Sequence, residues 1–366
     1  MTPFVPPLLP LDCLDWTKLV RWIGPSNAAL ARFDGILQGI VNPQILLSPL
    51  TIQEAVLSSR IEGTQASFEE VLHYRETDAV PAERRADIRE VLNYRRALQE
   101  SVEYLQKRPI CLDLLRKGHS TLMEGVRGQE RGRGQFRKVQ NWIGRPDSTL
   151  QTARFVPPDP IVMQEALSNW ERYLHFEEQD RLVQLAVIHA QFEIIHPFTD
   201  GNGRLGRMLL PLVLFHHGLL SSPMFYLSGY LERHQDAYFE RLHRITAAGE
   251  WTEWVQFFLV AVTEQATENT TKAKEILALY NRMKQRLPEI ISTQYTLPVI
   301  DALFDQPIFE STEFSSRIGV PKRSVLRILR ALQDHEILTV ERQPRGSIPG
   351  LLRFKELIEI TGDAQT

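Results

Sequence analysis

His196-Pro197-Phe198-Thr199-Asp200-Gly201-Asn202-Gly203-Arg204-Leu205-Gly206-Arg207 stands between two apolar runs. From Leu182 to Ile195 nearly every second or third residue is apolar, as in a helix buried on most sides. Pro197 ends that helix because it has no N–H to give. A second apolar helix is predicted from about Leu205 to Phe215, so a glycine turn joins two core helices. Gly201, Asn202 and Gly203 tolerate positive φ, and their N–H groups can converge on one point as an anion-binding nest. The next helix adds the positive end of its dipole, while Arg204 and Arg207 supply charge that grips phosphate oxygens in pairs.

Two further residues give this nest chemistry. Asp200 is a hard anionic ligand suited to Mg²⁺, which keeps most of its waters and bridges one carboxylate to phosphates. His196, with an ordinary pKa of about 6.5, accepts a proton from an incoming hydroxyl near neutral pH. Together these parts describe in-line attack of a hydroxyl on a phosphoryl group, with charge neutralised by metal, nest and arginine. Which phosphorus is attacked stays open on the residues alone. A zinc site is the competing reading, since His189, Glu193 and His196 share one helix face at i, i+4 and i+7. The HExxH order is missing, because Ala-Gln-Phe-Glu follows His189, and His189 is better read as a packed helix residue.

Residues 196–207 match HPF-x-[DE]-G-N-G-R-x-x-R at every defined position and so resemble the signature of the Fic family of adenylyltransferases. The resemblance implies attack on the α-phosphate of ATP by a Tyr, Thr or Ser hydroxyl of a target protein, with AMP transferred and pyrophosphate released. It makes His196 the base, Asp200 the Mg²⁺ ligand and 201–203 the phosphate cradle. Arg204 and Arg207 hold the phosphate tail, with Leu205 and Gly206 between them in the ATP-binding segment. Ser58-Ser59-Arg60-Ile61-Glu62-Gly63 fits (S/T)-x-x-x-E-(G/N) and resembles the family's inhibitory helix, here N-terminal to the core. A carboxylate at that helix end can occupy Arg207 and repel ATP, with Ser58 one turn earlier fixing it. A solvated helix glutamate is the plainer reading of Glu62; the catalytic motif downstream favours the inhibitory one.

Residues 139–158 resemble the family's flap, a short β-hairpin that pairs with a target strand and covers the nucleotide. Thr152, Ala153, Arg154 and Phe155 are expected nearest the nucleotide. Gln135-Phe136-Arg137 resembles the family's G-x-F-R stretch and is expected to be structural. Tyr230 and Tyr238 lie in segments that resemble the adenine-facing part of the family, where either can stack on the base, serve the core or be modified in its own right.

The whole chain has 366 residues, 43% of them hydrophobic, and a net charge of −3. That is enough for two or three cores and argues against bulk nucleic-acid binding through a positive coat. Cys13 and Cys111 form no CxxC pattern, so neither a disulfide framework nor a thiolate metal site is expected. No run reaches the roughly eighteen apolar residues of a membrane span, and the N-terminus lacks a basic signal head, so a cytoplasmic protein with no membrane partner is expected. The fold class is mainly α: a Fic helical core with a β-hairpin flap, a helical N-terminal region and a C-terminal winged helix-turn-helix domain. Its expected parts are a helical region 1–105 with an inhibitory helix at about 50–63, a catalytic core 106–262, a connecting helix 263–290 and a winged-helix-like domain 291–366. In that last part Lys322, Arg323, Arg327 and Arg330 stripe one helix, which suits phosphates, although carboxylates slightly outnumber basic residues across 291–366. DNA is therefore a possible partner there, and a DNA-binding regulator with the core as nucleotide sensor is the alternative function. A homo-oligomer, most simply a homodimer, is expected because relief of a helix-borne inhibitor offers a role for self-pairing.

Overall fold

The computed structural model describes residues 2–74, 80–128, 130, 132–144, 147–291, 293–344 and 349–362. The N-terminal region contributes α1 (Trp16–Gln38), α2 (Pro43–Leu46), α3 (Ser48–Ile61), α4 (Phe68–His73) and α5 (Ala82–Leu105). The core adds α6 (Leu112–Leu122), α7 (Pro160–Leu174), α8 (Arg181–Ile195), α9 (Asn202–His216), α10 (Ser228–Arg233), α11 (Gln235–Ala248) and α12 (Trp251–Ile291). Beyond these lie α13 (Thr296–Asp305), β1 (Ile308–Glu310), α14 (Phe314–Ile318), α15 (Lys322–Asp334), β2 (Thr339–Arg342), β3 (Leu351–Arg353) and α16 (Lys355–Thr361). Among the described residues no helix is long and apolar enough to cross a membrane.

The α8–α9 pair forms the centre. Leu182, Val183, Ala186, Val187, Ala190 and Phe192 are sealed from solvent on α8, as are Leu205, Leu212 and Leu214 on α9. Each large apolar side chain buried in this way stabilises the fold by about 1.5–3 kcal/mol. Asp180 starts α8 by accepting from the N–H groups of Leu182 and Val183, and Asp159 does the same for α7. α12 backs this pair: Trp254 Nε1 donates to Ala186 O, and α1 is fastened to α12 by Ser26 Oγ, 2.8 Å from Leu259 O.

Two sequence expectations shift. The connecting helix expected at 263–290 is the distal part of α12, which begins in the core at Trp251 and runs 41 residues. Pro288 lies inside its last turn. The flap expected as a hairpin shows one antiparallel bridge, Ile143 with Phe155, among the described residues. Pro157 and Pro158 have no donor with which to lengthen that ladder.

Beyond α12 the sheet has the order β1-β3-β2 and is antiparallel throughout, with Phe309 and Val340 both facing Leu352 and a bulge between Val340 and Arg342. Val325, Ile328, Leu329 and Leu332 of α15 are buried, and α15 packs on α12 and α14. The turn expected at Pro344-Arg345-Gly346 falls mostly outside the described residues. This module touches the N-terminal region: Ser48 Oγ donates to Asp305 O at 3.0 Å, and Arg353 pairs with Glu69 at 2.5 Å.

Candidate active site

α8 ends at His196, whose backbone lies in the left-handed region at φ 49°, ψ 62°. A non-glycine residue there costs about 1–2 kcal/mol, so the surroundings must hold it. Arg137 does much of this. Its Nε donates to His196 O at 2.9 Å and its Nη2 to Pro158 O at 2.5 Å, with Ile195 O and Val139 O completing the set. Asn202 closes the next turn by accepting from Phe198 N at 2.9 Å and donating to Phe198 O at 2.8 Å. Asn202 is thus a brace for the cradle, turned into the protein with its side chain buried. The imidazole of His196 has Nδ1 3.3 Å from Glu193 O, which suits Nδ1 as donor and leaves Nε2 as the acceptor. Burial pushes its pKa down to about 4, so it is neutral near pH 7.

α9 starts at Asn202 after Gly201 at φ 75°, and its first N–H groups carry the helix's positive end. The Glu62 carboxylate occupies this end. A Cβ placed on Gly203 would lie 2.0 Å from Glu62 Oε1, so the glycine makes room for the carboxylate. Arg207 Nη2 donates to Glu62 Oε1 at 2.7 Å and to Ser58 O at 2.8 Å, and Arg207 Nε donates to Ser58 Oγ at 3.0 Å. Burial by itself raises the Glu62 carboxyl, but the Arg207 charge and hydrogen bond outweigh it and hold the carboxyl below its ordinary value. Arg207 is 1% exposed while the Glu62 side chain is 38% exposed, so the acid sits between a fixed arginine and the cleft. Ser58, expected to fix the carboxylate, bonds to Arg207 instead.

Arg204 goes elsewhere. Its guanidinium is buried behind the cradle, with Nη1 3.0 Å from Glu90 Oε2 on α5, and it does not line the cleft. Helical spacing alone would keep it near the face of Arg207, and it is the pairing with Glu90 that turns it to the side where α5 packs. Asp200 is half-exposed, accepts from Gly201 N at 2.6 Å and lies 4.0 Å from Arg204 Nη2. Leu205 is fully buried in the core. Gly206 gives room to Glu193, whose Oε1 would stand 2.2 Å from a Cβ there. Burial pushes the Glu193 carboxyl up to about 8, leaving it protonated at neutral pH.

His119 on α6 escaped the sequence reading. Its Nδ1 accepts from Gly134 N at 2.9 Å, so Nε2 carries the proton and donates to Asp200 O at 2.9 Å. The ring also stacks on Phe198 at 3.8 Å. Its only sequence signal is a histidine on the apolar face of an amphipathic helix, which by itself reads as core. His189, the other half of the zinc reading, lies 3.0 Å from Tyr238 OH, and burial pushes it down to about 3. Among the described residues no three His, Cys, Asp or Glu side chains are gathered to hold a metal ion.

A cleft of about 990 Å³ opens in front of Glu62, His196, Gly203 and Arg207. Thr152, Arg154 and Phe155 form its flap wall, whereas Ala153 is buried behind them. The opposite wall is one face of α11, with Tyr238, Phe239, Leu242, His243 and Thr246. Tyr238 reaches the cleft, but Tyr230 does not line it and stacks on His234 at 4.1 Å. Sequence reading passed over His243 and Thr246, which recur at helical spacing from Phe239.

The Fic/DOC family N-terminal model matches residues 20–103, and the Fic/DOC family model matches residues 109–214. A probable protein adenylyltransferase of Aquifex aeolicus is 31% identical over 182 residues, 48% of this chain and 51% of that protein. A uridine 5'-monophosphate transferase of Xanthomonas campestris is 30% identical over 124 residues, 31% of this chain and 23% of that protein. The chain thus spans about half the length of the first relative and less of the second. A solved Fic family protein from Desulfovibrio desulfuricans G20 superimposes with a TM-score of 0.59 over 97% of this chain and 98% of its own, at 19% identity, which shows a shared fold. Since the second family model runs through the whole cradle and the first covers the helices that pack against it, the chain belongs to the Fic/DOC family.

Proposed function

We propose that the chain transfers AMP from ATP to a Tyr, Thr or Ser hydroxyl of a protein, and that Glu62 holds it inhibited. The observation that carries this reading is the Glu62 carboxylate lying over Gly203 and bonded to Arg207 within the cleft that His196 lines. An anion already occupies the place where a phosphate would gain most from the helix dipole and the arginine. In the active state the target hydroxyl gives its proton to His196 Nε2 as its oxygen bonds to the α-phosphorus. The bond from that phosphorus to the bridging oxygen breaks, and pyrophosphate leaves with the electron pair. The half-exposed Asp200 carboxylate suits Mg²⁺, which takes few protein ligands beside phosphates. When bound, that ion would neutralise phosphate charge. Arg207 then serves the phosphate tail, and Arg204 braces the cradle from behind.

The test is incorporation of label from α-labelled ATP by wild type, Glu62→Gly and His196→Ala. A gain of about 10- to 100-fold in Glu62→Gly matches the loss of one charge-assisted contact of about 1.5–3 kcal/mol. His196→Ala in that background abolishes labelling. Equal labelling by all three proteins contradicts both roles, and preferential labelling from UTP would move the donor to the pyrimidine class.

A second reading applies to residues 291–366, as a winged-helix-like module that binds duplex DNA. Supporting it, Lys322, Arg323, Arg327 and Arg330 are exposed on α15, and among the described residues none of the four is in an ion pair, whereas Arg317, Arg342 and Arg353 each are. Anisotropy of a labelled duplex tests it. Binding that weakens with salt and with Arg327→Glu supports the reading, and no binding at low salt removes it.

A further inference from the structure

The end of α3 is fastened on several sides. Gln235 Nε2 on α11 donates to Ile61 O at 2.9 Å, and Gln65 N donates to Asp87 Oδ2 on α5 at 3.0 Å. Between them Thr64 is buried, and its hydroxyl donates to Glu90 Oε2 at 2.7 Å. That same oxygen lies 3.0 Å from Arg204 Nη1, while Arg127 approaches the other Glu90 oxygen at 3.9 Å. Gly63, at φ 93°, makes the sharp turn that sends Glu62 toward the cradle and Thr64 toward α5. Both motif arginines are therefore tied to one short segment. Arg207 is held by Ser58 and Glu62 before the turn, and Arg204 is joined through Glu90 to Thr64 after it.

This arrangement decides where the Glu62 carboxylate points. The Glu62 backbone is suspended between two points that are both referred to α9, and its side chain must rise from there onto Gly203. A bond to a buried carboxylate is strong because no water competes for it. Without the Thr64 hydroxyl the segment keeps its turn hydrogen bonds to Ser59 O and Arg60 O and its ties to Gln235 and Asp87, and what it loses is the link through Glu90 to Arg204.

We propose that Thr64 is a positioning residue for the inhibited state, its hydroxyl bond to Glu90 locking the end of α3 in register with α9 so that Glu62 is aimed at Gly203 and Arg207. The inference rests on the self-inhibition reading and goes beyond it by assigning the aim of the inhibitory carboxylate to a residue outside α3. Thr64 touches neither the cleft nor any group that reacts.

The experiment compares ATP-analogue affinity and AMP incorporation for wild type, Thr64→Val, Thr64→Ser, Glu62→Gly and Glu62→Gly/Thr64→Val. Valine keeps the shape and removes the donor. Thr64→Val is expected to raise both readings about three- to tenfold over wild type, and Thr64→Ser to stay within about twofold. In the Glu62→Gly background Thr64→Val changes neither by more than about twofold, since no carboxylate is left to aim. No gain from Thr64→Val in wild type, or an equal loss in both backgrounds, overturns the proposal and leaves Thr64 a packing residue. If Thr64→Val does not fold, Thr64→Ala carries the same comparison. Absence of any gain in Glu62→Gly itself would instead remove the self-inhibition reading.

Discussion

The cradle and the flap face each other across one cleft and are held in opposite ways. At the cradle, side chains from distant elements grip the backbone: Arg137 takes four carbonyls, Asn202 both polar groups of Phe198, and His119 joins Gly134 to Asp200. At the flap the bonds are short-range: beside the bridge of Ile143 with Phe155, Trp142 Nε1 donates to Ser148 O and Thr149 N to Thr152 Oγ1, while Phe4 contacts Phe155 at 5.9 Å and Trp142 and Val139 are exposed. The difference separates two tasks. On the proposed function, a cradle that fixes an α-phosphate and a strained histidine has to be over-determined before substrate arrives. On the same proposed function, a wall that admits a nucleotide and a protein strand is held by local bonds of its own and can pair with the incoming chain.

Breaking the cradle should have the largest effect. Arg137→Met removes four backbone contacts at once and is expected to lower unfolding free energy by about 3–5 kcal/mol, read by urea denaturation. In the Glu62→Gly background it should also remove activity, because the main brace on the left-handed backbone of His196 is then gone. Asn202→Ala loses two buried hydrogen bonds and should cost about 1–3 kcal/mol in the same assay. At the other extreme, Arg154→Ala on the flap breaks a half-exposed pair with Glu240 at 3.3 Å, and stability should change by less than about 0.5 kcal/mol. Its effect should fall on the KM for nucleotide. A flap variant as destabilising as Arg137→Met would erase the contrast between the two walls.

The pH dependence sharpens the cradle further. Burial holds His196 at about 4, so the imidazole stays unprotonated down to that range, and in its proposed role as base it is lost only as pH falls through it. The acid limb of kcat/KM for Glu62→Gly should accordingly lie well below the ordinary histidine value of about 6.5. Glu62 is also held below its ordinary value, so its bond to Arg207 is present at neutral pH and is lost only as pH falls below the usual carboxylate range. Mild acid should therefore not activate the wild type. An acid limb near pH 6.5 would place His196 in solvent.

Much of the cradle was legible because its chemistry demands uncommon residues at fixed spacing: a histidine before proline, glycines at a turn, an arginine one helical turn on. The same reading stopped where a partner lies far away in the chain. Arg204 and Arg207 look alike in sequence, and only the packing of α5 sends one to Glu90 and leaves the other to Glu62. His119 was invisible for the same reason, since its partners Gly134 and Asp200 come together only in the fold. Tyr230 and Tyr238 were equivalent aromatics until α10 and α11 turned one to His234 and the other to the cleft. The helices themselves followed from periodicity, as with the apolar run from Leu182 to Ile195 that forms α8. The short flap did not, although Pro157 and Pro158 already marked where its ladder had to stop.

The central claim is that Glu62 and the nucleotide compete for Arg207. Calorimetric titration of a non-hydrolysable ATP analogue into wild type, Glu62→Gly and Glu62→Gly/Arg207→Ala measures it most directly. Glu62→Gly should bind about 10- to 100-fold more tightly than wild type, and Arg207→Ala should abolish that gain. Equal affinity of wild type and Glu62→Gly, with the analogue bound in the cleft, would contradict the account.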